Sequence, residues 1–70
     1  MTKKFTILLQ HEEDAFMLES LMCEHKIFYE YDVIGSDELI YEFEINNKDK
    51  KIINILIEYS NITVLKFISN

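Results

Sequence analysis

Three observations predict an α+β domain with the element order β-α-β-β-α-β. Residues 28–34 and 39–45 each alternate apolar and acidic side chains with period two, the pattern of paired strands. Residues 12–27 instead repeat apolar side chains at intervals of three and four, the helical period. Short runs rich in β-branched and aromatic residues stand near both ends of the chain, where outer strands would lie.

The first strand is read over residues 4–10. It places Phe5, Ile7 and Leu9 on one face and Lys4, Thr6, Leu8 and Gln10 on the other. The first helix follows from Glu12 to about Ile27, with Ala15, Leu18, Leu21, Met22 and His25 on its apolar side and Lys26 near its end. Glu12, Glu13 and Asp14 fall in its first turn, where negative charge interacts favourably with the free amides and the helix dipole.

The middle hairpin puts Tyr29, Tyr31, Val33, Leu39, Tyr41, Phe43 and Ile45 on one face, and Glu30, Asp32, Glu42 and Glu44 on the other. Its turn, residues 35–38, contains Gly35, the one glycine of the chain, suited to the positive φ that tight hairpin turns require. Matching the two faces sets Asp32 opposite Glu42 and Glu30 opposite Glu44. Like charges in directly opposed positions destabilise a sheet, so folding alone does not account for them.

Asn46 and Asn47 are both suited to cap a following helix. That second helix is read over residues 50–59, with Ile52, Leu56 and Tyr59 at helical spacing. A last strand is read over residues 62–68, and either Thr63, Leu65 and Phe67 or Ile62, Val64, Lys66 and Ile68 face outward. The sum is the split βαβ unit of the ferredoxin-like fold: a four-stranded antiparallel sheet of order 4-1-3-2 with two helices on one face. The predicted inner layer sets Phe5, Ile7, Leu9, Tyr29, Tyr31, Val33, Tyr41, Phe43 and Ile45 against Leu18, Leu21, Met22, Ile52 and Leu56. The four hairpin acids lie on the open face, with Leu8 and Ile40 beside them as apolar interface candidates.

At 70 residues the chain makes one domain, residues 1–70, whose modest core favours association with a second copy, a homodimer, or with another partner. Seven lysines, no arginine and thirteen acids leave a net charge of −6. Direct nucleic-acid binding is therefore not expected. The single cysteine, Cys23, permits no internal disulfide and fits a reducing cytoplasm. The apolar stretch 5–9 is too short for a signal peptide, and no run reaches the length of a membrane span.

Catalytic chemistry finds little support. Cys23 and His25 project about 200° apart around a helix and do not converge as nucleophile and base. His11, Glu12, Glu13 and Asp14 are explained by the helix dipole without a metal. One cysteine excludes an iron–sulfur cluster and a Cys-x-x-Cys metal site, and the lack of arginine excludes acylphosphatase-like chemistry. Amino-acid-sensing modules of this topology use a glycine-containing turn after the first strand, and residues 10–13 contain none. No catalytic residue, metal or cofactor is expected.

The plain reading of the acidic face is a solvated, solubilising surface. The functional reading is that its carboxylates imitate a nucleic-acid backbone. Same-face strand residues repeat at about 6.6–6.8 Å, close to the ~7 Å between successive phosphates. Glu12, Glu13 and Asp14 extend the negative charge.

In size, charge, AT-biased composition and the Glu30, Asp32, Glu42, Glu44 pattern, the chain resembles small acidic phage-encoded DNA mimics. Among these it is most similar to the staphylococcal phage inhibitors of the bacterial DNA sliding clamp. The resemblance implies a non-enzymatic, dimeric inhibitor that blocks a basic DNA channel in the host cytoplasm and so stops replication. It transfers no binding residue. Two alternatives stand beside it: a ferredoxin-like dimerisation or small-ligand module, and a metal-dependent hydrolase or nuclease using the acids.

Overall fold

The computed structural model describes residues 3–69; Met1 and Thr2, which open the stretch read for a leader, lie outside the described residues. Its elements are β1 (Lys4–Leu9), α1 (Glu12–Glu24), β2 (Tyr29–Ile34), β3 (Ile40–Asn46), a single 3₁₀ turn (Asn47–Asp49), α2 (Lys50–Ser60) and β4 (Lys66–Ser69). The strands form one antiparallel sheet of order β2-β3-β1-β4, the ferredoxin-like arrangement that the element order predicts.

The hairpin register is the expected one. Glu30 stands opposite Glu44 and Asp32 opposite Glu42, while Tyr29, Tyr31 and Val33 oppose Ile45, Phe43 and Tyr41. Phe5, Ile7, Leu9, Phe43 and Ile45 form the sheet's buried layer, and Ala15, Leu18, Met22, Ile53 and Ile57 close it from the helices. Gly35 takes φ +98°, and a Cβ there would stand 2.2 Å from the Glu38 carbonyl oxygen. No side-chain-bearing residue fits that turn without distortion.

Several expectations are corrected. The inner side of α2 is Ile53 and Ile57, with Leu56 half-buried, whereas Ile52 and Tyr59 are exposed. Both sets are apolar at helical spacing and lie one residue, about 100°, apart, so periodicity does not choose between them. Tyr31 and Val33 are exposed by 38% and 40% instead of buried, because β2 is an edge strand. Leu39 lies outside β3 and is exposed, and His25 is exposed beyond the end of α1.

α1 ends short of its expected length and α2 one residue past Tyr59, and both stop in the same way. Lys26 and Asn61 adopt φ of 56° and 57°. The amides of Ile27 and Ile62 reach back to the carbonyls of Met22 and Ile57 at 2.8 and 3.2 Å, forming Schellman-type stops. The two isoleucines then plug the core, each 7% exposed. Ile62 is thus the seal of a helix and not the start of a strand, and β4 begins only at Lys66. Asn46 acts as a cap, accepting from the Lys48 amide at 3.1 Å, but it caps the 3₁₀ turn; Asp49 precedes α2 with no side-chain cap bond.

β4 also resolves which of its residues face outward. Ile68 pairs with Thr6 and Lys66 with Leu8, so these two share the open face, while Phe67 pairs with Ile7 and stacks its ring 6.1 Å from Phe5 on the helix side.

Candidate functional site: the open face of the sheet

Cross-strand register arranges the open face in rungs. One runs Glu30–Glu44–Thr6–Ile68, and the next Asp32–Glu42–Leu8–Lys66. Ile34 and Ile40 face each other at the hairpin end. Among the described residues no helix covers this side, since both pack on the other. Glu30, Asp32, Glu42 and Glu44, with Tyr31, line a concavity of about 280 Å³. The structure therefore brings the four hairpin acids together, and sets Leu8 and Ile40, both half-buried, beside them.

Glu12, Glu13 and Asp14 do not join that cluster. They form the first turn of α1, on the opposite side of the sheet. Glu12 accepts from the Tyr41 hydroxyl at 3.5 Å, and Tyr41 belongs to the helix-facing layer. Seven candidate acids thus form two separate negative surfaces.

A cation at the acidic face escaped the sequence reading. The Lys4 ammonium lies 2.7 Å from a Glu30 carboxylate oxygen and 4.0 Å from one of Glu44, spanning three strands. The Lys4 hydrogen bond holds the Glu30 carboxyl below its ordinary value of 4.5, with their Coulombic attraction adding to it. The same bond raises Lys4 above 10.5. Among the described residues these are the ion pairs between lysine and carboxylate. The parity of β1 already places Lys4 on this face, and the strand order 4-1-3-2 puts only β3 between it and β2. Combining those two expectations reveals the contact.

Among the described residues Asp32 and Glu42 make no such ion pair; Lys66 shares their rung but stands beyond Leu8, outside ion-pair distance. Their nearest neighbour on β1 is Leu8, and Asp32 accepts instead from the Val33 amide next to it in the chain, at 2.9 Å. The like-charge cost of this rung is therefore not offset by an ion pair as it is in the rung beside it.

A second surface lies at the edge of the sheet. Met22, Cys23, Lys26, Ile27, Phe28 and Tyr29 line an apolar groove of about 580 Å³ between the end of α1 and the start of β2. Phe28 is 90% exposed and borders both this groove and the Lys4–Glu30–Glu44 cluster. The Tyr29 hydroxyl donates to Glu19 at 3.0 Å, and burial, with that bond, pushes its phenol up to about 12. Sequence alternation alone did not single out Phe28, since parity assigns it a face without showing that nothing covers it.

Among the described residues, no group of three or more His, Cys, Asp and Glu side chains is placed to hold a metal ion, and no helix is long and apolar enough to cross a membrane. No protein-family model matches the sequence, and no curated protein is significantly similar to it.

Proposed function

We propose that this protein is a non-enzymatic inhibitor, encoded by a phage, that presents its open sheet face to the basic DNA-binding surface of a host protein. The observation that carries the reading is the Asp32–Glu42 rung: two opposed carboxylates that make no ion pair among the described residues, on an uncovered face. Evolution would retain such a pair at a cost in stability if a partner supplies the missing positive charge. A ring of lysine and arginine such as lines the DNA channel of a sliding clamp has the required chemistry, and occupying it would halt replication. Complementary charge also accelerates encounter and selects the partner.

Leu8 and Ile40 belong to the same contact as its apolar component. A homodimer built on them would close the acidic face against its own copy, so this reading reserves them for the partner. Glu12, Glu13 and Asp14, on the far side of the sheet, contribute through the long-range field.

The test is binding to a purified bacterial sliding clamp in rising salt, with the wild-type chain and with the combined variant Glu30→Gln, Asp32→Asn, Glu42→Gln, Glu44→Gln. Affinity should fall with salt and with neutralisation. Binding indifferent to both sinks the proposal.

A further inference from the structure

The sheet has two free edges, and they are unequal. β4 offers four residues, whereas β2 offers six, of which residues 30–34 are all exposed. The Val33 amide donates to the Asp32 carboxylate and not to β3. Amides of an antiparallel strand alternate in direction, so those of Tyr29 and Tyr31 also point away from β3, toward the free edge. An edge of this kind is a template for another strand.

The two sides of that edge differ in chemistry. Toward the helices lies the apolar groove of Met22, Ile27, Phe28 and Tyr29; toward the open face stand Glu30 and Asp32. We propose that an extended segment of a basic partner adds to β2 as a fifth strand, its apolar side chains toward the groove and its alternate lysine or arginine side chains over Glu30 and Asp32. Main-chain bonds then supply affinity, while the period-two alternation of the segment supplies specificity. A cation opposite Asp32 provides what the Asp32–Glu42 rung lacks. Lys26 at the groove repels a basic side chain there, which fixes which face of the segment turns inward.

A second copy of this chain is the wrong occupant. Antiparallel pairing of β2 with itself brings Glu30 and Asp32 against their own kind, at a further like-charge cost. The inference rests on the acidic face being the partner site and adds how the partner engages it.

The experiment uses an arginine–valine alternating peptide about as long as β2, and the same peptide N-methylated at the residues whose amides would face β2. Fluorescence anisotropy should show the parent peptide binding, N-methylation weakening it at least tenfold, and Asp32→Asn weakening it several-fold. Val33→Pro should match the effect of N-methylation; its amide is outside the ladder, where proline is tolerated. Equal binding of the two peptides overturns strand addition, as does self-association of the chain in sedimentation that Val33→Pro abolishes without any peptide binding. If Glu42→Gln with Glu44→Gln releases the sliding clamp but Val33→Pro does not, the edge mode falls while the acidic-face reading stands. If Val33→Pro and N-methylation abolish binding while neutralising the acids changes nothing, the acidic-face reading and the basic side chains over Glu30 and Asp32 are both overturned.

Discussion

The rungs Glu30–Glu44 and Asp32–Glu42 are neighbours on the same two strands, with the same charge, on the same face, yet they do different work. Lys4 crosses the sheet to bind the first, which makes it part of the fold's own electrostatics. Lys66 ends the second rung beyond Leu8 but, among the described residues, makes no ion pair with its acids, one of which turns back to its own backbone. A pattern of repeated carboxylates is therefore not one feature. Its meaning changes with whether a lysine closes on it, and only two of the four acids stay outside an ion pair.

The most drastic way to break the comparison removes the support common to both rungs. Phe43 lies between Glu42 and Glu44 on the buried side, fully enclosed. Phe43→Ala should cost about 3–5 kcal/mol, readable in urea unfolding, and should abolish the difference between the rungs by unfolding both. Next in size, Gly35→Ala sets a Cβ against the Glu38 carbonyl and forces an unfavourable φ; a loss of about 1–3 kcal/mol is expected from the same measurement.

The sharpest test is one of sign. Asp32→Asn with Glu42→Gln should stabilise the protein by about 0.2–1 kcal/mol in chemical denaturation near neutral pH, because a like-charge pair is relieved. Glu30→Gln with Glu44→Gln should lower stability instead, since Lys4 loses its partners. Effects of the same sign for the two pairs would refute the distinction.

The smallest effect is read in pH dependence. Glu30 is held below 4.5 by Lys4, so the pair's contribution is present above that value and fades as pH falls through the lowered one. Lys4 is raised above 10.5, so on the alkaline side the contribution is full below 10.5 and fades as pH rises through the raised value. Lys4→Met should make the two rungs alike and flatten both limbs in a series of denaturation curves.

Much of this architecture was legible in the sequence because period-two alternation is a local signal. Residues 28–45 predict their own strands, faces and register, down to Glu30 opposite Glu44. What was not legible depends on distance or on choice between equivalent patterns. Lys4 meets Glu30 only after β1 and β2 take their places on either side of β3. Ile52 and Ile53 begin two equally apolar stripes, and only contact with the sheet selects the second. The end of α1 lacks the glycine that usually marks a left-handed stop, so Lys26 gave no warning, whereas α2 ends beside Asn61 within one residue of its reading. The split of the acids onto two sides, with Glu12 against Tyr41, likewise required the helix to be placed.

The ring contacts around Phe43 have a consequence for how the acidic display is inherited. Tyr31 and Tyr29 pack against that ring with centroids 4.9 and 5.6 Å away. β2 is an edge strand, and a slip of one residue against β3 would turn Glu30 and Asp32 toward the helices. The tyrosines thus act as a register lock. Replacing both by serine should scramble the charge pattern seen by a partner while every carboxylate remains in the chain, a loss of binding caused by mutations that remove no charge at all.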